Sequence, residues 1–286
     1  MNRLATFIGC IAIALWSVLA LLTAASGTMP PFQLAAITFA IGGGFGLVFA
    51  AARGRLDALY QPLPVWLVGV GGLFGYHALY FGALRLAPPA EAGLIAYLWP
   101  LLIVLLSALL PGEQLRPRHV LGAVMGLCGV FVLLFGAKLA RGEGLGLEAR
   151  YLPGYGLALA CAVVWSVYSV LSRRFRQVPT EAVAGFCAIT AVLASGVHFM
   201  VEQTVWPTGA GQWLAIAALG LGPVGLAFYV WDFGVKHGDI RLLGVASYAA
   251  PVLSTLILVS FGFAAASWAL AIACALIVAG ALVAAL

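Results

Sequence analysis

The chain has 286 residues, of which 64% are hydrophobic and 8% are charged, and its mean hydropathy is +1.11. A soluble globular domain carries roughly a quarter charged residues, so this composition excludes that class and predicts a polytopic membrane protein. The net charge of +5 is explained by membrane topology and does not indicate a nucleic-acid partner. The five cysteines lie inside apolar runs without metal-ligand spacing, so we interpret them as small buried residues.

Ten apolar stretches are long enough to cross a bilayer as helices, which predicts an all-α membrane fold. No charged residue follows Arg241, so the boundary between the last two stretches depends on a turn predicted at 262–267. The predicted spans cover residues 4–24, 32–52, 64–86, 90–110, 117–137, 152–172, 181–201, 211–235, 242–262 and 265–286.

The positions of the 14 Lys and Arg residues predict the orientation of the chain. If the N-terminus is cytoplasmic, the outer segments hold only Arg85, Lys138, Arg141 and Arg150, and all other basic residues lie in short cytoplasmic segments. Cytoplasmic loops of membrane proteins carry an excess of Lys and Arg. We therefore predict that both termini are cytoplasmic.

The charged, glycine-rich segment 138–151 divides the predicted spans into two groups of five. Motifs of the first group reappear in the second at nearly constant separation, which predicts two repeat units, residues 1–140 and 151–286. A unit with an odd number of spans reverses its direction on repetition, so the units are predicted to be inverted, as in many transporters with a substrate site near the midplane. The repeated elements are Trp16–Ser17 with Trp165–Ser166, Tyr97 with Tyr248, and Pro100 with Pro251.

Pro100 and Pro251 each interrupt the middle of a predicted span. A proline there removes one helical hydrogen bond and kinks the helix. In lipid, the freed carbonyl must be satisfied by protein or by water. Tyr97 and Tyr248 lie three residues earlier, on the same helical face as the prolines. We therefore predict that the two prolines shape or gate a central cavity, which the two tyrosines line.

Several Trp and Tyr residues lie inside the predicted spans rather than at the membrane interfaces, where Trp usually collects. Buried O–H and N–H groups need partners, which a polar cavity or a ligand can provide, and such a pocket suits a moderately apolar solute with a few polar groups. Ser247 is predicted to hydrogen-bond the substrate. The predicted substrate-binding residues are Trp16, His77, Tyr80, Tyr97, Trp99, Trp165, Tyr168, Ser247 and Tyr248.

Ionisable residues inside the membrane are functional candidates. His77 lies about 20 Å along its predicted helix, and the alternative to a binding role is a neutral imidazole that is hydrogen-bonded within the bundle. Asp232 is predicted to pair with Lys236 one helical turn later. Arg85 and Glu91 flank a short outer loop, where we expect a surface ion pair between them.

Four segments resemble members of a known family. The chain is similar in these segments to the aromatic amino-acid exporters of the EamA-type branch of the drug/metabolite transporter superfamily. The resemblance implies a bacterial inner-membrane exporter with a basket-like bundle of ten helices around a central cavity. The resemblance also makes Asp232 an unexpected residue, because it implies a neutral polar residue at this position. The segments are Ile8–Ser17, Tyr97–Pro100, Lys236–Asp239 and Ser247–Ser254.

The predicted function is export of aromatic and other largely neutral amino acids by alternating access. We expect facilitated diffusion, because no predicted span carries a carboxylate near its midpoint. The expected partners are a small-molecule substrate and the lipid bilayer, with the protein as a monomer and without a cofactor. The alternative is a multidrug or lipid-linked-sugar flippase, but the first span lacks a glutamate and the spans lack a deep Lys or Arg. A membrane enzyme is disfavoured because no catalytic constellation is visible, and a bundle acting only as a scaffold would not need central prolines and aromatic residues.

Overall fold

The computed structural model describes residues 2–112, 114–143, 148–260 and 266–286, apart from the side chain of Ala90. All regular secondary structure in these ranges is helical. The α-helices are α1 (Arg3–Ser17), α2 (Leu19–Ala25), α3 (Pro31–Ala52), α4 (Leu63–Leu86), α5 (Pro89–Ala96), α6 (Trp99–Ser107), α7 (Pro117–Ala140), α8 (Leu152–Arg174), α9 (Val183–Val201), α10 (Ala210–Leu221), α11 (Ala227–His237), α12 (Ile240–Ala246), α13 (Ala249–Ser260) and α14 (Trp268–Ala285).

These helices account for the predicted spans. In the part of the chain that the structure describes, 9 helical segments are long and apolar enough to cross a membrane, and the fourth predicted span is a shorter apolar helix, Glu91–Ser107. The predicted all-α membrane fold is therefore confirmed. The turn predicted at 262–267 lies partly outside the described residues, as does the predicted link 138–151.

Four spans are interrupted rather than continuous. The first is divided between α1 and α2 at Val18, and the eighth contains a π-helical turn, Gly222–Leu226, between α10 and α11. The fourth is divided between α5 and α6, and the ninth between α12 and α13. In these two spans Pro100 and Pro251 lie in the first turn of the second helix, where the missing N–H of a proline has no intrahelical partner to lose. The chain therefore breaks just before each proline instead of bending at it.

Close backbone contacts join the two predicted halves. A Cβ atom added to Gly234 of α11 would lie 2.5 Å from the Cα of Gly9 in α1, and one added to Gly122 of α7 would lie 2.4 Å from the Gly280 oxygen in α14. Small residues allow this approach, and in a membrane such packing is a main source of helix association. The helices of the two halves are therefore packed into one bundle.

Polar contacts between loops define the two ends of the bundle. At one end Arg241 donates to the Gln114 carbonyl, Thr6 accepts from the Asp239 N–H, and Arg55 pairs with Glu181. We call this the basic end, since the segments with most of the Lys and Arg residues meet there. At the opposite end Glu202 joins the beginning of α3 to the end of α9.

Candidate functional site

Four tryptophans from four helices form one cluster in the middle of the bundle. Every pair among them is in ring contact, with centroid separations from 5.2 Å to 6.3 Å. We call this group the tryptophan cluster. It consists of Trp16 (α1), Trp99 (α6), Trp165 (α8) and Trp231 (α11). Three were predicted to bind substrate, and Trp231 was not, although its position inside a span was a usable signal.

Two of the indoles have fixed hydrogen bonds. Trp16 Nε1 donates to the Pro223 carbonyl at 3.1 Å, and Trp231 Nε1 donates to Ser169 Oγ at 3.1 Å. The first bond ties α1 to the π-helical turn, where the helical hydrogen-bond ladder is irregular. Because its N–H group is already satisfied, the partly exposed Trp16 ring offers a ligand mainly its apolar face and edge, whereas Trp231 is fully buried.

Aromatic residues of α4 extend the cluster towards the opposite end. Tyr76 contacts Trp165 at 5.4 Å and is stacked on Tyr80 at 6.0 Å. His77 contacts Phe228 at 6.2 Å. The three α4 residues are partly exposed, whereas Trp165 and Phe228 are buried. The aromatic surface is therefore accessible on the side of α4 and closed beneath it.

His77 has a defined tautomer. Its Nδ1 lies 2.7 Å from the Leu73 carbonyl oxygen, and because a carbonyl can only accept, Nδ1 carries the proton of the neutral ring. The Nε2 atom is then an acceptor, and it has no hydrogen-bond partner among the described residues. A partly exposed acceptor beside aromatic rings is suited to an N–H donor on a ligand.

Tyr97 and Tyr248, which the repeat pairs with each other, lie in different surroundings. Tyr97 is partly exposed. Tyr248 is fully buried and packs on Gly126, where an added Cβ would lie 2.3 Å from the tyrosine ring. Its hydroxyl accepts the Leu101 N–H at 3.2 Å, one of the N–H groups at the beginning of α6 without an intrahelical partner. Tyr248, which lies at the break of the ninth span, thus caps α6, the helix that follows the break of the fourth span.

Ser247 and Tyr168 are also buried away from the exposed side of the cluster. Ser247 Oγ donates to the Leu243 carbonyl at 2.7 Å. Tyr168 packs beneath Trp165 at 5.2 Å, towards the basic end. In this conformation the structure does not bring Ser247, Tyr248 or the Tyr168 hydroxyl to the accessible aromatic surface, where Tyr80 and Tyr97 lie. For Ser247 and Tyr248 the sequence predicted otherwise, because it treats the ninth span as one straight helix, whereas this span breaks before Pro251.

The basic end holds a buried ion pair. Lys236 Nζ lies 2.7 Å from Asp232 Oδ2, which confirms the predicted pair, and the same oxygen accepts from Thr180 Oγ1 at 2.7 Å. Lys236 also donates to the Val178 carbonyl at 3.0 Å. Both charged side chains are nearly inaccessible, at 3% and 2%. Their burial was not predicted, because the sequence places them near the membrane surface.

At the opposite end the predicted pair between Arg85 and Glu91 is wrong. Arg85 instead pairs with Glu202 at 3.1 Å, and Glu91 is buried and accepts from the Tyr155 hydroxyl at 2.5 Å. Glu202 also accepts the N–H groups of Phe32 and Gln33 at the beginning of α3. The ion pair with Arg85 and the hydrogen bonds from α3 that converge on Glu202 were not predicted, because these partners are distant from Glu202 in sequence.

No group of three or more His, Cys, Asp and Glu side chains within the described ranges is arranged to hold a metal ion. The chemistry available at the tryptophan cluster is therefore aromatic packing together with hydrogen bonding from His77 and the tyrosine hydroxyls.

Comparisons with known proteins show relatives over nearly the whole chain. The chain is 65% identical over 283 residues to the "Aromatic amino acid exporter YddG" of Ancylobacter novellus, covering 99% of this chain and 97% of the relative. It is 28% identical over 268 residues to the protein of the same name from Escherichia coli, covering 88% and 86%. A solved crystal structure with 64% identity matches it with a TM-score of 0.94, over 99% of this chain and 97% of the other.

The profile of the EamA-like transporter family matches residues 3–135 and 152–286. These two matches cover most of the chain. The predicted family is confirmed, as is the prediction of a transporter rather than an enzyme. The chain belongs to the EamA-like transporter family and is a multi-pass membrane transporter.

Proposed function

We propose that this protein exports aromatic and other largely neutral amino acids across the bacterial inner membrane. The observation that carries the proposal is a central aromatic cluster, bordered by partly exposed aromatic residues of α4, in a chain that is 65% identical over nearly its whole length to a protein named as an aromatic amino acid exporter. An aromatic ring packed against several Trp and Tyr rings gains contact energy beyond its buried area, about 0.5–1.5 kcal/mol for each pair. A sugar headgroup has no aromatic ring to form such a pair.

The substrate's side chain packs against Trp16, Trp165 and Tyr76, and its polar groups face α4. The unpaired Nε2 of His77 accepts a hydrogen bond from the substrate ammonium group. The hydroxyls of Tyr80 and Tyr97 donate to the carboxylate. This arrangement balances a zwitterion without placing a fixed charge in the membrane, which is costly. Trp99 supports the cluster from below, and Pro100 and Pro251 set the helix breaks that shape and gate the site.

The protein works as a monomer in which residues 1–140 and 151–286 are inverted repeats and alternate access to the site between them. The basic end faces the cytoplasm, and both termini lie there, because ten of the 14 Lys and Arg residues fall on that side. A reporter fused after Leu286 and active only outside the cytoplasm is expected to give no signal. Activity of that reporter would contradict the orientation and, with it, the inverted repeat.

Transport runs down the substrate gradient without obligatory proton exchange. The buried carboxylate of Asp232 is held by Lys236 and Thr180 away from the accessible surface, and a neutral His77 serves as an acceptor rather than a proton carrier. A zwitterionic amino acid carries no net charge, so the membrane potential does little work on it.

Counterflow in proteoliposomes tests the substrate class. Vesicles loaded with unlabelled Trp are expected to take up labelled Trp and Phe by exchange. Vesicles loaded instead with a cationic drug or a lipid-linked sugar are not expected to exchange it for labelled Trp or Phe. The opposite pattern would favour a flippase on the same scaffold. An imposed pH gradient is expected to leave the final level unchanged. Accumulation above equilibrium that disappears in His77→Gln would instead identify His77 as a proton carrier.

A further inference from the structure

The basic-end half of the eighth span makes polar contacts to α8 and to the connection between α8 and α9. Asp232 and Lys236 of α11 bond to Thr180 and to the Val178 carbonyl, both in the connection between α8 and α9. The end of α11 is bound in the same way, because Arg173 of α8 donates to the carbonyls of residues 235, 236 and 238 at 2.8–3.2 Å. These contacts fix α11 sideways against α8 and α9.

The other end of α11 has the features of a hinge. It begins directly after the π-helical turn Gly222–Leu226, which contains Pro223. Short π-helical segments occur mostly as single turns at functional sites, and proline and glycine allow sharp bends there. The helix Ala227–His237 can therefore rotate about this turn together with α1, on which it packs through Gly9 and Gly234, provided its contacts to α8 and to the α8–α9 connection separate.

A small cavity with a mostly apolar lining lies beside the pair. It has a volume of about 10 Å³ and is bordered by Tyr168, Ser172, Asp232 and Lys236 on one side and by Val65 and Gly69 of α4 on the other. Such a volume is the space of one water molecule. The Tyr168 hydroxyl is buried and has no hydrogen-bond partner among the described residues, so it can serve such a water. The basic end thus already contains a small gap between α4 of the first half and α8 and α11 of the second.

A charged closure behaves differently from an apolar one when it opens. Two buried charges lose hydration, and their mutual attraction roughly offsets that loss, so replacing such a pair by apolar residues is often neutral or stabilising. On opening, water returns to both charges and compensates for the separated contacts. An apolar closure at the same place exposes hydrocarbon on opening, which is unfavourable in proportion to the exposed area. Charge therefore permits reversible opening at little cost.

We propose that Asp232 and Lys236 form a polar latch, closing on Thr180 and Val178, that lets α11 swing about the π-helical turn and open the basic end between α11 and α4. The latch rests on the alternating access proposed above, and it makes both residues positioning residues that do not touch substrate. The closed latch gives the conformation described here, in which Asp232 and Lys236 are buried.

The test combines thiol labelling with transport. Ser172 borders the cavity, so Ser172→Cys, in a chain with the five native cysteines replaced by alanine, reports opening of the basic end to a membrane-permeant maleimide. With Asp232→Leu/Lys236→Met, the latch predicts labelling and Trp exchange that are both about tenfold slower, with the melting temperature unchanged or higher. A merely structural pair predicts unchanged labelling and exchange, and that result would overturn the latch.

Two further variants keep the test decisive. Thr180→Val removes one hydrogen bond of the closed latch and is expected to speed labelling several-fold. This result does not depend on whether the double variant folds. Unchanged labelling in Thr180→Val would also contradict the proposal. The matched control is the exposed loop pair, changed to Glu148→Leu/Arg150→Met, which should label and transport like the parent. Labelling is measured without substrate, so a wrong substrate class would abolish Trp exchange in every variant and leave the labelling differences intact.

Discussion

The third and eighth spans, which the repeat predicts to correspond, differ in continuity and in exposure. The third is one helix, Leu63–Leu86, and its inward aromatic residues Tyr76 and Tyr80 are partly exposed. The eighth is interrupted by a π-helical turn, and its aromatic residues Phe228 and Trp231 are buried. The same predicted pattern of aromatic residues therefore gives a partly exposed aromatic surface in the third span and a buried aromatic layer in the eighth.

The charges that end these two spans show the same contrast. Arg85 at the end of the third span is half exposed, with 50% of its side chain accessible, although its partner Glu202 is buried. Lys236 near the end of the eighth is buried with its partner. When Arg85 is removed, the buried Glu202 carboxylate keeps hydrogen bonds from two N–H groups at the beginning of α3. Removal of Asp232, in contrast, leaves the buried Lys236 without an opposite charge. The pair at Glu202 should therefore tolerate loss of its partner better than the pair at the basic end.

The largest difference is expected between two single alanine variants. Asp232→Ala leaves the Lys236 charge buried and unpaired and should cost about 3–5 kcal/mol of stability. Arg85→Ala removes a half-exposed partner and should cost about 1 kcal/mol or less. Thermal unfolding of the purified protein in detergent measures both. Equal losses in the two variants would remove the contrast between the ends.

A second comparison uses adjacent glycines of the third span. A Cβ added to Gly72 would lie 2.4 Å from the Tyr168 ring, whereas one added to Gly71 meets nothing within 4 Å. Overpacking costs about 1–3 kcal/mol, so Gly72→Ala should lower the melting temperature. Gly71→Ala is the control and should keep or raise it, because alanine favours the helix. A stable Gly72→Ala protein would show that α4 and α8 are not tightly packed.

The two repeated tyrosines should respond differently to loss of the hydroxyl. Tyr248→Phe leaves the Leu101 N–H unpaired inside the bundle, which costs about 1–3 kcal/mol. Tyr97→Phe affects a partly exposed residue and should leave unfolding unchanged while it weakens exchange of Trp. If both variants lose stability equally, Tyr97 is a structural residue like Tyr248.

The smallest expected effect concerns substrate contact. Tyr97→Ala should raise the apparent half-saturation concentration for Trp and Phe by the equivalent of about 0.5–1.5 kcal/mol, at unchanged protein abundance. Trp165→Ala should lower transport as well, but with a loss of stability, because Trp165 is buried in the cluster. Transport kinetics of both variants, normalised to the amount of protein, give the measurement. Unchanged kinetics would exclude these residues from the site.

Several features follow from the sequence alone because their causes are local. The length and hydropathy of each apolar run determine where a span lies, since a bilayer requires about 20 apolar residues per helix. Proline in the middle of a helix disrupts it, so the interruptions near Pro100 and Pro251 were predictable. The spacing of Asp232 and Lys236 on one helix brings them together without help from other elements. The family also followed from short segments in the chain.

The rest was decided by tertiary packing. Glu202, rather than the nearby Glu91, pairs with Arg85, because the ends of α4 and α9 meet in space across 117 positions of sequence. Ser247 and Tyr248 are buried because they bond to Leu243 and Leu101 and Tyr248 packs on Gly126. The burial of Lys236 and its partner depends on the connection between α8 and α9, to which both are bonded. Burial and long-range pairing are properties of several helices together, and no single stretch of sequence contains them.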